Sequence, residues 1–114
     1  MIYRVRTYNV IAEKLDLFNE FFEEYLLPNQ RKNGSILIGR WVDLAGEKVT
    51  AIWQYESLKA YEEIEERIRL TELHKKAQIR KKMIEPLFKD TKQEFWEMTG
   101  DYHRKEIFYE TNNI

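Results

Sequence analysis

Cysteine is absent from this chain, which excludes a disulfide framework, a thiolate nucleophile and a cysteine-held metal. That suits a reducing, cytoplasmic setting. Long apolar runs are missing too. No stretch approaches the roughly 18–20 apolar residues of a membrane span, and the opening Met1-Ile2-Tyr3-Arg4 lacks the apolar run of a signal peptide. The expectation is a cytoplasmic chain with no membrane partner. A surplus of one charge is also lacking. With 19 basic against 20 acidic residues the formal net charge is -1, which argues against a general nucleic-acid binder. Histidine occurs only at 74 and 103, not at a ligand spacing, so no metal site is expected.

What is present is a single domain's worth of chain, 114 residues with 14% aromatics. That is enough for one modest core and well above the aromatic content of a disordered segment. The most β-like stretches, 1–9, 35–44, 48–56 and 92–99, are apolar on both faces under a two-residue period. In the first, Tyr3, Val5 and Thr7 oppose Ile2, Arg4, Arg6 and Tyr8. In the second, Leu37, Gly39 and Trp41 oppose Ile36, Ile38, Arg40 and Val42. In the third, Val49, Ala51, Trp53 and Tyr55 oppose Thr50, Ile52 and Gln54. In the last, Phe95 opposes Trp96 and Met98. A sheet with one wet face should alternate apolar and polar residues, and no strand here shows a clean polar face.

Between the strands, helical spacing recurs. Leu15, Phe18, Phe22, Tyr25 and Leu26 form one stripe, with Pro28 expected to kink or end the helix near Leu26 and Leu27. Asn33-Gly34 offers a left-handed stop, and Gly46 in 43–48 offers hairpin chemistry. Ser57 stands where a cap is wanted, ahead of a helix with Tyr61, Ile64 and Ile68 inward and Glu62, Glu63, Glu65 and Glu66 outward. A break near Leu70 and Thr71 leads into a further helix carrying Leu73, Ala77 and Ile84 inward and ending before Pro86. The order strand, helix, strand, strand, helix, strand predicts an α+β, ferredoxin-like βαββαβ fold with a four-stranded antiparallel sheet. Its helices cover one face only. The uncovered apolar face predicts a homodimer, two sheets packed face to face. The alternative cover is the segment 101–114, expected to be a tail or an added edge strand around Ile107-Phe108-Tyr109, following a domain at 1–100.

The chain also resembles a known family. Tyr3-Arg4-Val5-Arg6-Thr7-Tyr8 followed by Lys14-Leu15-Asp16-Leu17-Phe18 is similar to the opening of NIPSNAP-family domains. Leu27-Pro28, Gly34, Gly39-Arg40-Trp41 and Ile52-Trp53-Gln54-Tyr55-Glu56-Ser57-Leu58 extend the likeness over about residues 1–98. Val5 stands where the family often has Leu. The resemblance implies a dimeric α+β barrel built from ferredoxin-like subunits, and it implies little about chemistry.

The candidate ligand-binding residues are Arg6, Tyr8, Trp53, Tyr55 and Arg4. Arg4, Arg6 and Tyr8 share a strand face, where Arg6 can meet an anionic group and Tyr8 can orient it. The bland alternative is a structural ion pair with Glu56 or Glu97, or a side chain reaching the rim. Trp41, Trp53 and Trp96 are either walls of an apolar pocket or plain core and dimer seam. Tyr55, on the face of Trp53, is the member expected to present a hydroxyl to a cavity. His74 is the weak catalytic candidate, with Glu63, Glu66 or Glu72 as a carboxylate partner and an exposed helix face as the alternative. The resemblance extends to haem-degrading monooxygenases of the same superfamily, which place an axial histidine near this position. Thr7, and Tyr61 or Ile64, stand where those enzymes have asparagine and tryptophan, so no haem and no other cofactor is expected. The run Lys75, Lys76, Arg80, Lys81 and Lys82 has no interleaved aromatics to stack bases and is read as a solvated face. The expected function is a homodimer that binds a small, partly apolar molecule. The alternatives are a cofactor-independent monooxygenase or isomerase, and a protein-interaction module without a ligand.

Overall fold

The computed structural model describes residues 1–102; His103 and the Ile107-Phe108-Tyr109 segment lie outside the described residues. The elements run β1 (Ile2–Val10), a 3-10 turn (Ala12–Lys14), α1 (Leu15–Phe21), a π turn (Phe22–Leu26), α2 (Leu27–Lys32), β2 (Ile36–Val42), β3 (Lys48–Tyr55), α3 (Leu58–Arg69), α4 (Glu72–Ile84) and β4 (Phe88–Trp96). They form a four-stranded antiparallel sheet of order β2-β3-β1-β4. The two central strands are each followed by helix, and the helices lie on one face. This is the ferredoxin-like α+β arrangement that the element order predicts.

Local chemistry explains the joints. Pro28 has no N–H to give and its ring crowds the carbonyl one turn back. The helix responds by widening into the π turn just before it, where the Leu27 amide donates to the Phe22 carbonyl. It then continues as α2, so Pro28 kinks the helix without ending it. Gly34 (φ +106) and Gly46 (φ +73) hold the two left-handed positions. Ser57 caps α3 by accepting from the Ala60 amide at 3.0 Å. Thr71 caps α4, accepting from the His74 amide at 3.1 Å and donating to the Ile68 carbonyl at 2.7 Å.

Two departures from simple alternation decide which residues face the helices. In β2 the register against β3 shifts between Leu37 and Gly39, leaving Ile38 as the extra residue. Leu37 therefore pairs with Trp53 and Arg40 with Ala51, both on the helix face, while Gly39 and Trp41 pair with Ile52 and Thr50 on the other face. The expected grouping of Leu37 with Trp41, against Arg40, is corrected by this bulge. β4 starts at Phe88 and ends at Trp96, a few residues earlier than its apolar pattern indicates. A second irregularity at Val10 lets Phe88 pair with Val10.

The core beneath the helices is divided. One cluster gathers Val10, Phe18, Phe21, Val49, Ala77, Ile84 and Leu87, with Tyr8 and Phe88 against it. The other gathers Phe22, Trp53, Tyr55, Ile64 and Ile68, with Leu26, Leu37 and Tyr61 against it. The opposite face of the sheet is mixed. Trp41, Trp96, Ile36 and Ile38 are about half exposed there or along its edge, but Thr7, Thr50, Gln54, Lys92 and Glu94 share that face. The reading that no strand has a polar face is thus too strong for β4. Among the described residues no helix is long and apolar enough to cross a membrane.

Candidate functional site

The register places one row of side chains across the helix face of the sheet: Arg40 (β2), Ala51 (β3), Arg6 (β1) and Gln93 (β4). The row on one side is Val49, Tyr8 and Thr91; the row on the other is Leu37, Trp53, Arg4 and Phe95. The middle row falls between the two apolar clusters, and Ala51, fully buried, fills little of it. The result is a cavity of about 230 Å³ between sheet and helices, floored by Arg40, Ala51 and Arg6 of this row and walled by Phe18, Phe22 and Leu26 from the first helical arm and by His74, Ala77 and Lys81 from α4. Thr91, Gln93 and Phe95 are exposed, so the side toward β4 is open.

The arginines around this cavity are satisfied unequally. Arg4 is buried and anchored at both Nε and Nη1. Its Nη1 donates to Glu65 Oε1 at 2.9 Å, its Nε donates to Gln93 Oε1 at 2.7 Å, and its guanidinium lies 5.0 Å from the Tyr61 ring centre. Glu65 is steadied in turn by Gln30 Nε2 at 3.2 Å. The structural ion pair weighed for this strand face is therefore real for Arg4. Its partner is Glu65, on the α3 face expected to be outward, and neither Glu56 nor Glu97.

Arg6 makes longer contacts, Nη1 to Gln93 Oε1 at 3.4 Å and Nη2 to Thr91 Oγ1 at 3.2 Å, and lies 5.1 Å from the Tyr8 ring centre. Its Nε is buried without a hydrogen-bond partner. Arg40 donates Nη1 to Asn19 Oδ1 at 2.6 Å and stacks over Phe18 (4.9 Å) and Phe22 (4.4 Å), and its Nη2 is likewise buried and unpartnered. Burial pulls the Arg40 guanidinium below its ordinary value, with Tyr8 and the exposed Glu23 acting against that shift. An arginine so shifted stays charged at neutral pH. The Arg6 and Arg40 guanidinium groups both line the cavity, stack on aromatic faces and keep one nitrogen that no acceptor of the described residues serves.

Tyr8 packs edge-on against Phe18 and Phe88, both at 5.0 Å, and forms a side wall. Trp53 is buried beside Phe22 at 6.0 Å. His74 reaches the cavity from α4, with Nε2 at 3.4 Å from Gln78 Nε2. Of its expected carboxylate partners Glu63, Glu66 and Glu72, none lines this cavity, and the acid there is Glu65. Lys81, read as part of a solvated basic face, also lines the cavity, with its ammonium 6.0 Å from the Phe88 ring centre.

Arg4, Arg6, Tyr8, Trp53 and His74 thus converge. Tyr55 does not. It is buried in the neighbouring cluster, its hydroxyl receives a hydrogen bond from Ser35 Oγ at 3.4 Å, and burial raises its pKa above the ordinary tyrosine value. Trp41 and Trp96 lie on the other face, so of the three tryptophans only Trp53 walls this cavity. Arg40 is the residue that sequence reasoning missed. Gly39 in mid-strand was the available signal for a bulge that turns it inward. No group of three or more His, Asp or Glu able to hold a metal occurs among the described residues.

Comparison with known proteins agrees with this fold. The chain is similar to an uncharacterized NIPSNAP domain protein from Burkholderia xenovorans, with 20% identity, 87% of this chain and 95% of that chain covered, and a TM-score of 0.75. A NIPSNAP family protein from Agrobacterium tumefaciens gives 20% identity, 86% and 92% coverage and a TM-score of 0.74. A putative antibiotic biosynthesis monooxygenase from Nitrosomonas europaea shares the fold at 11% identity, with 88% and 100% coverage and a TM-score of 0.63. Among curated proteins none matches the sequence. The sequence profile of the NIPSNAP family matches residues 3–100, nearly the whole described chain, and the protein belongs to the NIPSNAP family.

Proposed function

We propose that this protein binds a small, partly apolar molecule in the cavity between the sheet and its helices. One observation carries this reading: the core is split into two apolar clusters, and the gap between them is lined by aromatic and polar side chains drawn from sheet and helices together. Close packing is the rule in protein interiors, and about 230 Å³ of space open to water is many times the ~10–15 Å³ that admits a single water. That volume suits a ligand about the size of one substituted ring. Catalysis is the second reading, favoured by Tyr8 and His74 sharing the cavity as groups able to move a proton. The shared fold of the putative monooxygenase does not by itself extend that protein's chemistry to this chain.

The protein works, in this proposal, as a cytoplasmic homodimer joined across the open sheet face. Trp41 (53% exposed) and Trp96 (49%) are the aromatic side chains left about half uncovered on that face, with Ile36 and Ile38 beside them on or along its edge. The ring of Trp41 reaches over Gly39, where an added Cβ would come within 2.4 Å of it. Native mass spectrometry of protein purified from its own host tests both parts at once. A dimer with a retained small molecule is expected. Wild-type protein that is monomeric at micromolar concentration refutes the dimer. Conversion to monomer by Trp41→Ser locates the interface on the open face. Failure of any small apolar or amphipathic molecule to bind the cavity, with no molecule retained from the host, refutes the binding reading.

A further inference from the structure

Resting on that reading of the cavity, the geometry points to the class of ligand: an organic acid whose single carboxylate sits over Ala51 between Arg6 and Arg40, with its apolar body against Phe18, Phe22 and Trp53.

Three features support the assignment. The first is position. Ala51 is the register partner of both Arg6 and Arg40, so the two arginines flank it across neighbouring strands. Two strand spacings put their backbones ~9.5 Å apart. The Arg6 guanidinium rests on Gln93 and Thr91 of β4 through long contacts of 3.4 and 3.2 Å, and that of Arg40 rests on Asn19; with only the Ala51 methyl between the two strands, both can swing toward one small group above it. The second is accounting of hydrogen bonds. Arg6 Nε and Arg40 Nη2 are the buried side-chain atoms without a partner among the described residues, and leaving such a donor unmade is costly. Two free donors match the two oxygens of one carboxylate. They fall short of a phosphoryl group, which presents three, and the amide of His74 in the first turn of α4 is already taken by Thr71. The third is charge. Arg4, Arg6, Arg40 and Lys81 line the cavity with one carboxylate, Glu65, and that carboxylate is already committed to Arg4 at 2.9 Å. An incoming anion meets an unbalanced positive site in an apolar wall, where attraction is stronger than in water.

The body of the ligand is set by the walls. Phe18 and Phe22 already stack on Arg40, and Trp53 closes the lower side beside Phe22. A benzoate-sized acid can place its carboxylate on the arginine pair and its ring among these faces.

The test is calorimetric titration of the full-length protein with benzoate, phenylacetate and hexanoate, against benzamide and benzyl alcohol as neutral counterparts and against inorganic phosphate. At least one acid should bind tenfold or more tightly than its neutral counterpart. Arg6→Gln and Arg40→Gln should each lose that tenfold preference while keeping the affinity for benzamide. Because Arg40 also bonds Asn19, Ala51→Leu serves as a second variant; it leaves every charge in place and fills the space between the arginines. It should abolish acid binding with its circular dichroism unchanged. Equal binding of acid and neutral probes overturns the inference and leaves the cavity reading standing. Phosphate binding as tightly as the best acid overturns the choice of carboxylate. Wild-type affinity for the acid in folded Ala51→Leu overturns the location. Absence of binding by every probe, acid and neutral, overturns the inference and the cavity reading together.

Discussion

Replacing Glu65 by Leu should be among the more damaging single changes on the helices, although Glu65 belongs to an acidic run that reads as surface charge. The pair it forms with Arg4 spans 2.9 Å, and the two side chains are 10% and 19% exposed. A surface ion pair is worth about 0–1 kcal/mol. Removing one partner of a fully buried pair costs about 3–5 kcal/mol, because the other charge is left in a low-dielectric site. Glu65 keeps some solvent contact, and Arg4 would still hold Gln93 and the Tyr61 face. The expected loss is therefore intermediate, about 2–3 kcal/mol. For a domain of this size that is a fall in Tm of roughly 8–12 °C. Urea unfolding followed by tryptophan fluorescence measures it directly. In a double-mutant cycle, Arg4→Met with Glu65→Leu should recover about 1.5 kcal/mol or more relative to the sum of the single changes, since the double variant leaves no orphaned charge. A loss below about 0.5 kcal/mol for Glu65→Leu, with no coupling to Arg4, would show that the pair behaves as a surface contact and that Arg4 is not anchored as argued.

Other consequences follow from single interactions. Tyr55→Phe should cost about 0.5–1 kcal/mol near neutral pH, because its contact with Ser35 is long at 3.4 Å and Arg4, which also interacts with the hydroxyl, keeps Glu65 and Gln93. Burial raises the Tyr55 pKa in the folded state, so the native protein keeps its proton when the unfolded chain, near pH ~10, gives it up. That contribution is complete below about pH 10 and is lost as pH rises toward the folded value, so urea midpoints should fall above pH ~10 in wild type and fall less in Tyr55→Phe. Asn29→Ala should cost about 1–3 kcal/mol, read by the same unfolding curves. Its buried amide donates to Thr71 at 2.9 Å and accepts from Asn33 at 3.1 Å, tying α2 to the joint between α3 and α4. Gly46→Ala should cost about 1 kcal/mol. The added methyl meets only Leu15, at 3.7 Å, and the strain comes from the backbone at φ +73; a loss of thermal stability by calorimetry checks it.

The fold was legible because its signals are local and agree with one another. Ser57, Thr71, Pro28, Gly34 and Gly46 each mark a joint by backbone chemistry that needs no tertiary partner. The apolar positions of the central strand β3 follow strict alternation, with Val49, Ala51, Trp53 and Tyr55 all buried under the helices. Edge strands were harder. Only one neighbour constrains the register of β2, and the extra residue at Ile38 passes unseen in a two-residue count. A two-residue count therefore sets Arg40 against Leu37, whereas the bulge puts both on the helix face beside Arg6. Glu65 was missed for another reason. Helical periodicity puts it beside Glu66 on the outside, but its longer reach toward Arg4 depends on where β1 lies beneath α3, which no local pattern encodes.

The contrast among the three arginines separates architecture from function more sharply than their sequence positions do. Arg4 and Arg6 sit two residues apart on one strand face and look equivalent in the sequence. Arg4 spends its donors on Glu65 and Gln93 and joins strand to helix. Arg6 and Arg40 each keep a buried N–H without an acceptor. Both residues are only partly buried and otherwise hydrogen-bonded, so the cost falls on one unmade hydrogen bond in each, about 1–3 kcal/mol. The two stand on either side of Ala51, the smallest buried residue of the sheet, and the proposed carboxylate is the partner that would satisfy both.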